Sequence, residues 1–72
     1  MENEIYDIII DTDDRFIGKY KKHRISIILC DDGMFDADIQ NANGFYVMEI
    51  HAMFEDMKDA REFCLGYINH NT

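Results

Sequence analysis

The sequence predicts an α+β fold: an antiparallel β-sheet of four to five strands with one C-terminal α-helix packed on one face, residues 1–72 forming a single domain. Three observations lead there. The only sustained helical period lies between Asp56 and His70, where Met57, Ala60, Cys64 and Tyr67 recur at i, i+3, i+7 and i+10, and Phe63 and Ile68 widen the stripe. Before it, apolar segments that alternate or are β-branched are separated by turns rich in Asp, Asn and Gly. Apolar residues make up 47% of the 72, with five Phe and no Pro, which suits a small packed core and not a disordered tail.

Taken in order, Glu4 to Ile10 ends in Ile8-Ile9-Ile10 and runs into Asp11-Thr12-Asp13-Asp14, a strand followed by a turn. Arg15 to Tyr20 is a second short strand in which Gly18 marks a bulge or an early end. Lys21-Lys22-His23 is a polar connection to Arg24–Cys30, whose apolar residues occupy both parities, as in a central strand. Asp31-Asp32-Gly33 supplies the next turn. Met34 to Gln40 then alternates, with Phe35, Ala37 and Ile39 on one face and Asp36, Asp38 and Gln40 on the other. Asn41-Ala42-Asn43-Gly44 turns the chain into a last strand, Phe45 to Ile50, and His51 to Glu55 leads to the helix.

Asp56 has the side chain of an N-cap, and Asp59 stands where a capping-box partner belongs. Phe54 is placed to fold back as a hydrophobic staple. Gly66 costs about 1 kcal/mol relative to Ala inside a helix, which predicts either a close approach to the sheet or fraying of the last turn. A helix of this length is marginal alone and needs the sheet to cover. One helix covers one face, so apolar surface is expected on the second face or along an edge, where a second copy could form a homodimer.

Fifteen acidic residues against seven basic give a net charge of -8, which disfavours direct nucleic-acid binding unless the cations are concentrated. Arg15, Lys19, Lys21, Lys22 and Arg24 fall within ten residues. The rest of the chain carries fifteen acids and two cations, a net of -13, so the folded molecule should be bipolar. The basic segment is read as offsetting its acidic neighbours.

No catalytic motif appears. Ser26 is the only serine and lies mid-strand without a nucleophile elbow. His23, His51 and His70 are widely spaced, no Cys-x-x-Cys occurs, and Asp36-x-Asp38 lacks the glycine and glutamate of a calcium loop, so neither metal nor cofactor is expected. Cys30 and Cys64 read as reduced core thiols. Met1-Glu2-Asn3-Glu4 is not a basic leader and no apolar run could span a bilayer, which points to the cytoplasm and away from membranes.

What remains is a binding protein. Carboxylates held a few ångström apart on a rigid scaffold can occupy a groove made for phosphates. The candidate contacts are Asp13, Asp14, Asp31, Asp32, Asp36, Asp38, Glu55 and Asp59, and the partner is a larger protein with a basic surface.

Two resemblances extend this. From Ile25 onward, strand, Asp-Asp-Gly turn, strand, Asn-Gly turn and strand, then Phe54-x-Asp56-Met57-x-x-Ala60-x-x-Phe63, resemble the sheet and helix of HicB-like antitoxin domains over about two thirds of the chain. The glycine- and proline-bearing strand of that family has no counterpart here. Its likeness implies a small regulatory domain associating through an apolar sheet face. The small size, acidity and absence of motifs also resemble phage-encoded anti-CRISPR proteins, which implies an inhibitor covering the nucleic-acid site of a Cas nuclease or surveillance complex in the host cytoplasm.

Overall fold

Short turns leave each strand little choice but to pair with its neighbour in sequence. The computed structural model, which describes residues 6–71, has that arrangement. Strands β1 (Tyr6–Asp11), β2 (Arg15–Tyr20), β3 (His23–Leu29), β4 (Phe35–Gln40) and β5 (Tyr46–Phe54) form one antiparallel sheet in the order β1-β2-β3-β4-β5, followed by helix α1 (Met57–His70). Glu4 and Ile5 of the expected first strand lie outside the described residues. The third strand, with apolar residues at both parities, is the central one, but β1 and β5, which share that pattern, are the edges.

Strand alternation sorts the side chains between two faces. Phe16 and Tyr20 of β2, Ile25 and Ile27 of β3, and Phe35, Ala37 and Ile39 of β4 are buried together with Ala60, Cys64 and Ile68 of α1. The helix lies across β2 to β5, chiefly over β4 and β3. Met57 and Tyr67, expected on its buried stripe, pack at the margin of the core. Burial of each of these Ile and Phe side chains stabilises the fold by roughly 1.5–3 kcal/mol, and a chain this short has no second core to draw on.

The Asp56 side chain caps α1 by accepting from the Asp59 N–H at 2.8 Å. Phe54 folds back as expected, but its ring meets Phe63 one turn further along, with centroids 5.3 Å apart.

Three details depart from the sequence reading. The fifth strand does not stop at Ile50: after one register shift against β4 between Tyr46 and Met48, it runs on through a second and through an Ala52 with φ of 50° to Phe54. Those irregularities break the alternation that marks a strand. Gly18 is not itself a bulge. The shift lies opposite, between Ile8 and Ile10 on β1, and Gly18 is buried where an added Cβ would crowd the Asp7 carbonyl oxygen at 3.0 Å. Gly66 is exposed with nothing within 4 Å of a Cβ, and α1 continues past it to His70, so it marks neither a close approach nor an early end.

Candidate functional site

Antiparallel order fixes which connections share an end of the sheet. The β1–β2 turn, the β3–β4 turn and the β5–α1 junction all lie at one end, and the helix starts there; the β2–β3 and β4–β5 turns lie at the other. The first group carries Asp13 and Asp14, Asp31 and Asp32, and Glu55, Asp56 and Asp59. The second carries Lys21 and Lys22. The meander therefore gathers the acidic connections at one end, where Arg15, Lys58 and Arg61 also lie, and sets Lys21 and Lys22 at the other, so the expected division of charge is partial. With neighbouring strands about 4.8 Å apart, the acidic connections recur roughly every 10 Å across that end.

Local bonding fixes several of these carboxylates. The Thr12 hydroxyl donates to Asp14 Oδ1 at 2.9 Å, and the Asp14 carbonyl accepts from the Leu29 N–H at 2.9 Å, which ties the first turn to the end of β3. Asp32 Oδ1 accepts from the Met34 N–H at 2.9 Å, and Gly33 completes that turn with φ of 85°. Asp13, Asp31, Glu55 and Asp59 are exposed and, among the described residues, no ion pair engages their side chains. Arg61, half-buried, reaches the exposed Asp11 at 4.0 Å and lays its guanidinium over the Phe16 ring at 4.9 Å. The helix dipole places its positive end among the acids, which stabilises them in place.

The other two candidates, Asp36 and Asp38, lie on the face that α1 does not cover, Asp36 beside this end and Asp38 further along β4. Asp36 is committed within the fold: its Oδ1 accepts from the Ala52 N–H at 2.6 Å and its Oδ2 lies 3.5 Å from His51 Nδ1. Its hydrogen bonds, first with the Cys30 thiol and then with the Ala52 N–H, hold its carboxyl below the usual range. Asp38 is half-buried opposite Glu49, and burial, then repulsion from Glu49 and Asp36, push its carboxyl up.

That uncovered face is not an acidic array. The register sets Asp7, Lys19, Arg24, Gln40 and Tyr46 in one row; Ile10, Ile17, Ser26, Asp38 and Glu49 in the next; and Arg15, Ile28 and Asp36 in a third. Acids occupy the β4–β5 side and cations the β2–β3 side. The face is not apolar either, since Ile10, Ile17 and Ile28 sit among charges. Most exposed apolar residues lie instead along the edges, Ile8 and Ile9 on β1 and Phe45, Tyr46, Val47 and Met53 at β5; Ile28 and Leu29 of β3 and Phe63 of α1, expected on the helix's buried stripe, are exposed as well.

Alternation alone identified the outward residues of β4 but said nothing about what faced them. The cross-strand register that brings Lys19, Arg24 and Gln40 into one row was not legible. The one signal available was the absence of any acid between residues 15 and 24.

Among the described residues no three His, Cys, Asp or Glu side chains converge as metal ligands, and no helix is long and apolar enough to cross a membrane. Comparison with protein-family models, with curated proteins and with solved structures finds no match.

Proposed function

We propose that the protein is a non-enzymatic inhibitor that sets its acidic end against a basic nucleic-acid-binding site on a larger protein. Asp13, Asp31, Glu55 and Asp59 act as the outermost carboxylates in place of phosphates, with Asp14 and Asp32 behind them. A phage-encoded anti-CRISPR acting on a Cas effector complex in the host cytoplasm is the class that this reading favours. The observation that carries it is the gathering of three acidic connections at one end, with the carboxylates of Asp14 and Asp32 fixed by local hydrogen bonds before any partner arrives. Preorganised charge loses little conformational freedom on binding and steers association.

The test is target-DNA binding by guide-loaded Cas effectors, with and without the protein. Wild type should block binding, and the block should weaken by tenfold or more between about 50 and about 200 mM salt. The variant Asp13→Lys/Asp31→Lys/Glu55→Lys touches no packed side chain and should lose the block while keeping its circular dichroism spectrum. Equal inhibition by wild type and variant would remove the acidic end from the mechanism.

A second reading, a regulatory or antitoxin-like domain joined to a partner or to its own copy through apolar surface, is favoured by Phe45 and Met53, exposed to 67% and 62%. That contact would use the β5 edge and not the open face. Sedimentation at rising salt separates the readings, because apolar association persists where charge is screened.

A further inference from the structure

At the end opposite the acids, the β2–β3 hairpin turns on two residues, Lys21 and Lys22, between the paired Tyr20 and His23. Both lysines hold positive φ, 50° and 68°. A two-residue turn of this kind is the province of Asn-Gly, and side chains with a Cβ occupy it only against steric resistance. His23 Nδ1 donates to the Lys21 carbonyl at 2.8 Å, since a carbonyl only accepts, and Lys21 Nζ donates to Asn69 Oδ1 at 2.7 Å. The strained turn is thus held from two sides.

Next to it, Lys19 and Arg24 stand directly opposite one another, a like-charge pair that weakens a sheet. Among the described residues no acid forms an ion pair with Lys19, Lys22 or Arg24, although Asp7 is Lys19's cross-strand neighbour. Lys19, Lys22, His23 and Arg24 on one side, and Gln40 and Asn41 on the other, line a groove of about 390 Å³. Arg24 and Gln40 also line a second concavity of about 230 Å³, with Asp38 and Tyr46.

We propose that this groove and the concavity beside it bind a nucleoside phosphate, the phosphate in the groove on Lys19, Lys22 and Arg24, the base in the concavity against the Tyr46 ring with the Gln40 amide at its edge. Three clustered cations that form no ion pair among the described residues, and a strained turn that presents one of them, are accounted for by an anion that relieves their repulsion. The row from Lys19 to Tyr46 covers three strand spacings, roughly 14 Å, which matches a nucleotide laid across the strands. Tyr46 is 56% exposed and free to stack. The net charge of -8 does not forbid this. The nearby acids are Asp7, across from Lys19, and Asp38 and Glu49 in the next row; the acidic turns lie a strand length away, roughly 20 Å, more than two Debye lengths at physiological salt. Asp38, whose ionised form is disfavoured by burial and by Glu49, gains from an N–H donor on the base.

This site uses none of the carboxylates of the inhibitory surface, so either proposal can fail without the other. The test is an NMR titration of the whole chain with ADP, adenosine, pyrophosphate and a short adenine oligonucleotide. ADP should shift the amides of the groove, and Arg24→Ala should weaken it about tenfold. Lys22→Gly relieves the turn, so it should raise the melting temperature and still weaken ADP about tenfold; unchanged affinity in that better-folded variant overturns the proposal. Pyrophosphate binding as tightly as ADP overturns the role of Tyr46. Shifts with the oligonucleotide and not with ADP assign the same phosphate and ring contacts to a strand, and no groove shifts with any probe overturn the site.

Discussion

The Asp36 carboxylate accepts the Ala52 N–H at 2.6 Å, at the residue where β5 swings to φ of 50° and its register with β4 shifts. The side chain thereby satisfies an amide that the displaced ladder cannot. Asp36 ionises more readily in the fold than its usual value of 3.8, through the Cys30 thiol, the Ala52 N–H and His51. The stability it confers is therefore complete above pH 3.8 and is lost as pH falls through its lowered value. Asp36→Ala should cost about 1 kcal/mol at pH 7 in urea denaturation, and less at pH 3. Asp36→Asn, which keeps an acceptor, should cost less than Asp36→Ala.

Asp38 works with the opposite sign. Burial first, then Glu49 and Asp36, raise its carboxyl above 3.8, so the folded chain holds the proton more tightly than the unfolded chain does. Stability linked to Asp38 rises as pH falls from its raised value toward 3.8, and at pH 7 the charge opposes folding. Asp38→Asn should therefore raise the melting temperature at pH 7 and narrow the difference from pH 4. A lower melting temperature at pH 7 would show that the charge has a partner in the fold.

Gly66 sits in the interior of α1, exposed, with open space where a side chain would go. Gly66→Ala should stabilise by about 1 kcal/mol. For a domain of this size that corresponds to a rise of about 4–8 °C in melting temperature, read by circular dichroism. No change would mean that the last turn of α1 contributes nothing to global stability.

The two cysteines should differ in reactivity. Cys64 is fully buried, and burial, with Asp38 as a lesser cause, pushes its thiol up to about 12. Cys30 is half-buried at the end of β3, its thiol raised chiefly through its hydrogen bond with Asp36. Since the thiolate is the reacting species, iodoacetamide at pH 8 should label Cys30 first, and Cys64 only after denaturant is added. Mass spectrometry of timed aliquots gives the order.

How far the sequence could be read depended on whether a feature was local. Asp56 and the stripe through Ala60, Cys64 and Ile68 announce the helix and its cap; the alternation from Phe35 to Gln40 announces β4 and its buried face. These are properties of neighbours along the chain. The strand status of Ala52 and Met53 was hidden because bulges interrupt the period, and Lys21-Lys22 does not look like a two-residue turn because neither residue favours positive φ. The run of cations between Arg15 and Arg24 was legible as composition, but not that Arg15 would lie at the acidic end. That the acidic connections share an end, and that Lys19 faces Arg24, depend on topology and register, which only the fold supplies.

Because β1 to β5 pair in the order in which they are translated, each hairpin can close as soon as its second strand leaves the ribosome, while the helix that seals them comes after all five. Until α1 emerges, Phe16, Ile25, Ile27 and Ile39 lie on a bare face of the nascent chain. The growing polypeptide should be a chaperone client up to that moment and cease to be one when the last turn of the helix docks.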